Sequence, residues 1–268
     1  MMVWTGLFWL WLFSAVVMAL GWWRAYRSRN ATLVDALWAL ELGIGAVFMA
    51  VIGDGHVWPR LALGLAGGLW GARLAMHLAR RAGSGVEDGR YQSMRAHWKN
   101  SADARFFIFF QTQTLVVVLF ALPFVAVATN RDVHVGWLIV GAAIWLVSVV
   151  GEALADRQLA RFRADPAHRG RTCRRGLWRF SRHPNYFFEW LHWFAYVAFA
   201  VGSPLWWLAW IGPLAMYAFL RWFSGIPWTE MQALRTRGDD YRAYQRSTSM
   251  LIPWWPSSDS SLSEEQTS

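Results

Sequence analysis

Apolar residues run in long, nearly unbroken stretches along this chain. Seven can be bracketed, at about 3–23, 31–52, 57–79, 105–128, 135–155, 186–202 and 204–224. A bilayer core takes about 20 apolar residues of helix per crossing. Lipid offers no hydrogen bonds, so each run must satisfy its own backbone, which favours helices. The pattern predicts an all-α polytopic membrane protein with seven transmembrane helices. The first run has neither a basic n-region nor an A-x-A cleavage site and reads as a retained helix. On the third run, Gly64 with Gly68 and Gly67 with Gly71 set small residues four apart, a spacing that permits close helix packing. A single domain over 1–256 is expected, followed by a polar tail, 257–268, read as disordered.

The polar connections give this bundle a direction. Arg24, Arg27 and Arg29 follow the first run, and Arg80, Arg81, Arg90, Arg95, Lys99 and Arg105 follow the third. Nine basic residues from Arg157 to Arg182 follow the fifth, and Arg221 to Arg246 follow the seventh. The alternate connections hold only Arg131. Basic residues mark cytoplasmic loops, so the N-terminus is expected outside and the C-terminus in the cytoplasm. The longer loops, and so the working face, lie on the cytoplasmic side. This distribution accounts for the net charge of +9 without nucleic acid, for which no motif is present. Cys173 is the only cysteine, which rules out an intramolecular disulfide and a cysteine metal cluster. No dinucleotide glycine fingerprint, phosphate loop or zinc-protease motif occurs, and the histidines form no metal-ligand set.

Candidate chemistry concentrates in two places. Ser181-Arg182-His183-Pro184-Asn185-Tyr186 leads into Glu189. Pro184 suits the first turn of a helix, and a helix start with Arg182 and His183 favours anions. Asn185 and Glu189 share a face. Cations at the mouth and a carboxylate one turn deeper suit a ligand with phosphates at one end and a polar ring at the other. An interfacial anchor touching lipid headgroups is the alternative. Glu152 and Asp156, before Arg157, Arg161 and Arg163, are either a salt-bridge ladder or a wall of the same pocket. Arg221 either snorkels or joins it. The stretch from Glu230 to Tyr241 and Tyr244 reads as an amphipathic surface segment that can cap the pocket, leading to an aromatic belt at Trp254 and Trp255.

The second place lies inside the second run, where Asp35 stands near the start and Glu41 about 9 Å deeper. An ionised carboxylate is costly in hydrocarbon, so a residue kept there is a functional candidate. A protonated acid can donate a hydrogen bond to a ketone or act as general acid. The alternative is a bridge to Arg73 or His77 on the third run.

Leu177-Trp178, Ser181 to Tyr186 with Glu189, Gly238-Asp239-x-Tyr241-x-x-Tyr244 and the closing Ile252-Pro253 together resemble the steroid 5α-reductase family. The similarity to its bacterial membrane members extends to Asp35, Glu87-Asp88-x-Arg90-Tyr91 and Asp156-x-Gln158. The shorter R-H-P-x-Y piece is shared with isoprenylcysteine carboxyl methyltransferases and sterol Δ14-type reductases. The resemblance implies NADPH-dependent reduction of a carbon–carbon double bond conjugated to a ketone, as in Δ4-3-oxosteroids. It implies that Asp156, Arg163, Asn185, Glu189 and Arg221 line the cofactor and that Glu41 meets the ketone. The family's ketone-contacting tyrosine has no counterpart here, and Arg73 and His77 occupy that region; the family's histidine after the seventh span is replaced near Ser224 and Gly225.

The expected cofactor set is therefore Arg90, Arg95, Glu152, Asp156, Arg163, Arg182, His183, Asn185, Tyr186, Glu189, Arg221 and Tyr241. Glu41 is the expected catalytic residue, with Asp35, Trp38, Arg73 and His77 at the substrate. Expected partners are a steroid or other lipophilic enone and membrane lipids, with no nucleic acid, metal or obligate protein partner. The expected location is a bacterial inner membrane, or the endoplasmic reticulum of a eukaryote. Two rival readings are a methyltransferase using S-adenosylmethionine and a non-catalytic sterol- or lipid-binding membrane protein.

Overall fold

A computed structural model describes residues 2–83, 85–223 and 225–257. Ser224 and all but the first residue of the 257–268 tail lie outside the described residues, so the reading of that tail does too. Every regular element among the described residues is helical. Helices α1 (Met2–Ser28), α2 (Leu33–Ile52) and α3 (Val57–Ala82) follow the first three runs. A short polar helix, α4 (Gly89–Trp98), precedes α5 (Ala102–Ala128) and α6 (Val135–Ala164). Five helical stretches are long and apolar enough to cross a membrane, and they coincide with the first five runs. Their outer surfaces carry exposed Leu40, Ile44, Val47 and Val51 on α2 and Leu61, Leu65 and Leu69 on α3. So much contiguous exposed hydrocarbon is foreign to a water-soluble monomer, and the chain is a membrane protein.

The last two runs fold differently from the first five. Helix α7 (Pro184–Phe199) has 16 residues, about 24 Å at the usual rise, against a hydrocarbon core of about 30 Å. The next run is broken into α8 (Trp206–Ala209), α9 (Ile211–Ala218) and a π-helical turn at Phe219–Phe223. Pro213 supplies the reason for the first break. It has no N–H to offer the Ala209 carbonyl four residues earlier, and α8 stops at Ala209.

Within the 1–256 stretch read as one domain, contacts separate two compact units. Unit 1 is Met1–Ala142 with Phe194–Leu214; unit 2 is Ala143–Trp193 with Ala215–Ser268. In unit 1 the glycines of α3 do what their spacing suggests. A Cβ built on Gly71 would lie 2.5 Å from the Gly43 Cα, and one on Gly67 would lie 2.3 Å from the Ala46 Cβ. Helices α2 and α3 therefore meet backbone to backbone along this seam. The short connections expected outside are tied down by the main chain. Gly55 N–H donates to the Ala128 carbonyl (2.9 Å) and His56 N–H to the Asn130 carbonyl (2.7 Å). The Asn130 amide donates to the Phe199 and Val201 carbonyls, both at 3.0 Å.

In unit 2, Gly151 of α6 lets the Phe188 ring of α7 lie against it; a Cβ there would be 2.4 Å from the ring. The 176–183 connection is held from both sides. Trp178 Nε1 donates to the Ala155 carbonyl (2.9 Å), and Gln158 accepts from Leu177 N–H (2.9 Å). Helix α10 (Ile226–Ser247) and the residues after it close the other side. The Tyr244 hydroxyl donates to the carbonyls of Trp178 and Ser181. Arg182 N–H donates to Ser249, and Trp254 N–H to Phe180. Residues near 180 and near 250 thus form one folded piece, as the capping role read for the C-terminal segment requires.

Candidate functional site

In unit 1 the site centres on α2. Glu41 is fully buried, as is Ser14 of α1. The Ser14 hydroxyl donates to Glu41 Oε2 at 2.5 Å, while Oε1 makes no hydrogen bond. Neither Arg73 nor His77 pairs with Glu41, so the bridge weighed as the alternative is not formed; Arg73 is half-buried and His77 exposed. Trp38, three residues before Glu41 on the same helix face, also keeps a buried Nε1–H with no partner. Its ring stands edge-on to Trp70 (6.3 Å) and Phe120 (5.6 Å).

Asp35 has a different setting. Its two oxygens accept from Arg90 (2.6 Å) and the Tyr91 hydroxyl (2.7 Å). Beside it, Glu87 accepts from Ala31 N–H (2.8 Å) and Arg95 (2.9 Å), and Asp88 N–H donates to the Thr32 hydroxyl (2.8 Å). These bonds clasp α4 to the start of α2. Arg90 and Arg95, expected at the cofactor, thus belong to unit 1 and are engaged in ion pairs there. Asp35, expected at the substrate, shares their clasp.

In unit 2, Arg182, His183 and Tyr241, expected at the cofactor, converge on a residue that sequence reasoning did not single out. Glu230 of α10 accepts from Arg182 Nε (2.7 Å), His183 Nε2 (3.2 Å) and the Tyr241 hydroxyl (3.3 Å) through Oε1. It accepts from Gln245 (2.8 Å) through Oε2. Arg182 spends further N–H groups on the Gln245 and Thr248 carbonyls, both at 2.9 Å. Burial alone would raise the Glu230 carboxyl, but the His183 hydrogen bond and the Arg182 guanidinium outweigh it and hold the group down at about 2. Burial pushes His183 below its ordinary value against the pull of Glu230, so the imidazole is neutral at pH 7. Burial also pushes the phenols of Tyr241 and Tyr244 up, keeping both as neutral donors.

Next to this knot, the Asn185 amide donates to Asp156 at 3.1 Å, joining α7 to α6. Glu152 and Glu189 are both buried. Tyr186 shares a hydroxyl contact with Thr229 (3.2 Å) and stacks on His183 at 5.4 Å between centroids. Arg163 is exposed at the end of α6. Arg221 is half-buried in the π-helical turn and has no ion pair or hydrogen bond with another described residue. Turns of this type recur at functional sites. The unit therefore holds a knot around Glu230, the Asp156–Asn185 pair, and Arg221 in the π-helical turn.

The chain is similar to an uncharacterized protein of Schizosaccharomyces pombe, 26% identical over 228 residues. The match covers 73% of this chain and 66% of the relative, so the chain spans just under two thirds of that relative's length. No solved structure matches. Residues 21–248 match the family described as "Protein of unknown function (DUF1295)", and the chain belongs to that family.

Proposed function

We propose that the protein is an NADPH-dependent reductase of lipophilic enones, with Δ4-3-oxosteroids as the substrate class. The observation that carries the reading is Glu41: a fully buried acid inside an apolar helix, with one oxygen bonded to Ser14 and the other to nothing. Such a group is costly to keep unless a ligand uses it. The resemblance to steroid 5α-reductases supports the same reading, and DUF1295 is associated with proteins of that kind.

The residues of unit 2 fit NADPH in part. Arg221 is a cation without an ion-pair or hydrogen-bond partner among the described residues, and the Asp156–Asn185 pair offers an acceptor and a donor side by side. Glu189 stands one turn beyond Asn185. Arg182, His183 and Tyr241 have their bonds committed to Glu230, which suits them to shaping the pocket. NADPH, when bound, supplies a hydride. The enone gains that hydride at its β-carbon and a proton at its α-carbon, and its carbonyl oxygen carries negative charge in between. Glu41 donates a hydrogen bond to that oxygen, and the bond strengthens as the charge builds. Seven crossings complete the proposal, with α7 and the α8–α9 segment as short sixth and seventh spans, the N-terminus outside and the C-terminus in the cytoplasm.

Titration of the purified protein with NADPH and NADH, followed by nicotinamide fluorescence, tests the reading together with NADPH consumption on a Δ4-3-oxosteroid. NADPH should bind more tightly, because the 2′-phosphate adds charge for arginine to contact. Equal affinity for the two, or binding of S-adenosylmethionine alone, would overturn it.

A further inference from the structure

The bond between Ser14 and Glu41 bears on which oxygen of the acid carries its proton. In hydrocarbon an ionised carboxylate with no cation beside it is too costly to persist, and the only hydrogen-bond partner of Glu41 among the described residues is Ser14. The neutral acid has one hydroxyl oxygen, a donor, and one carbonyl oxygen, an acceptor. Ser14 has a single proton. In a membrane helix that proton usually goes to the carbonyl four residues back, as Ser148 gives its own to Ile144 at 2.8 Å. Ser14 makes no such bond to Leu10; its proton goes to Glu41 Oε2 at 2.5 Å. Oε2 is then the carbonyl oxygen, and the acidic proton resides on Oε1.

From this we infer that Ser14 is a positioning residue that fixes the Glu41 proton on Oε1 and so turns the unbonded oxygen into a hydrogen-bond donor for substrate. This rests on the reductase reading above and refines it. The Trp38 Nε1–H, equally buried and unbonded one turn earlier, is a second donor on that helix face. Two such donors on one helix face favour a group that only accepts, namely a neutral carbonyl oxygen, over an alcohol, an amine or a carboxylic acid. An oxygen with two lone pairs can take both bonds, and both tighten when it becomes an enolate oxygen.

The experiment has two arms. The first is infrared difference spectroscopy of the detergent-solubilised protein, which needs no turnover. A protonated-carboxyl C=O band that vanishes in Glu41→Gln belongs to Glu41. In Ser14→Ala, which loses the bond to the carbonyl oxygen, that band should move to higher wavenumber. In Ser14→Cys, a weaker donor, it should move part of the way. A band absent from the wild type, or present and unmoved in Ser14→Ala, overturns the inference. The second arm is steady-state reduction of a Δ4-3-oxosteroid. Ser14→Ala should lower kcat by about tenfold, the scale of one hydrogen bond, with KM for NADPH unchanged and partial recovery in Ser14→Cys. An unchanged kcat in Ser14→Ala overturns the inference. If the wild type reduces no enone while the band shifts as expected, the reductase reading fails and the assignment of the proton to Oε1 stands.

Discussion

Glu41 in unit 1 is fully buried and Glu230 in unit 2 is half-buried, and their surroundings are opposite. Glu230 receives four donors, including a guanidinium, and its charge is fully compensated. Glu41 receives one hydroxyl and keeps an oxygen idle. A half-buried carboxylate with both oxygens already bonded is architecture, because a ligand would have to displace bonds already made. A buried acid left incomplete is maintained against its own cost, and the missing partner is the best clue to what it binds. The same distinction separates Asp35, closed by Arg90 and Tyr91, from Trp38 one turn further along α2.

Matched substitutions put the largest strain on this contrast. Glu230→Gln removes the counter-charge of Arg182 and should cost about 3 kcal/mol of stability, the low end for breaking a buried pair, read as a fall in melting temperature in detergent. Glu41→Gln keeps the shape of a neutral acid and should change stability by less than about 1 kcal/mol. Its effect should fall on turnover, and Glu41→Ala should reduce turnover on the order of 10²–10³-fold, as when one oxyanion donor is lost. Equal destabilisation by the two Gln variants would erase the distinction.

Acid sharpens it next. The Glu230 carboxyl drops from 4.5 in the unfolded chain to about 2 in the fold. Its contribution is complete above pH 4.5 and drains away as pH falls toward 2, by roughly 3 kcal/mol in all. His183, whose folded value is also depressed, acts in the same direction below its ordinary 6.5. Melting temperature measured from pH 7 downward should therefore decline, and the decline between pH 4.5 and 2 should flatten in Glu230→Gln. An identical acid profile in that variant would mean that the carboxylate is not what the fold spends its charge on.

The smallest effect concerns Asn185, whose amide already has a partner in Asp156. Asn185→Ala should weaken NADPH by about tenfold, one hydrogen bond's worth, with the protein still monodisperse. Unchanged affinity by fluorescence titration would assign this face of α7 to architecture, beside Glu230.

Hydropathy made the first five helices legible because span length is set by bilayer thickness and leaves a long signature. It misses the breaks in the last two runs, since Pro213 and the Gly202-Ser203-Pro204 corner interrupt hydrogen bonding without lowering apolar content much. Glu41 stood out because a charge inside an apolar run is conspicuous. Glu230 did not, because it lies in a polar segment where another acid attracts no notice and its partners Arg182 and His183 are nearly fifty residues away. Arg182 at a helix start did invite a counter-charge, but spacing cannot say which acid supplies it. Ser14 left no signal at all, being a small residue in an apolar run.

Under the proposed function, the contact between α2 and α3 also bears on the route a lipophilic guest would take to Glu41. At Gly43 and Gly71 two main chains touch, and main chain has no rotamers with which to step aside. On that reading, a bulky guest would not pass between the two main chains at this point. On the α1 flank the tight points are different: a Cβ built on Gly6, Gly21 or Gly45 would meet the tip of Ile52, Leu37 or Leu10. Side-chain tips can change rotamer, so that flank can give way where the main-chain contact cannot.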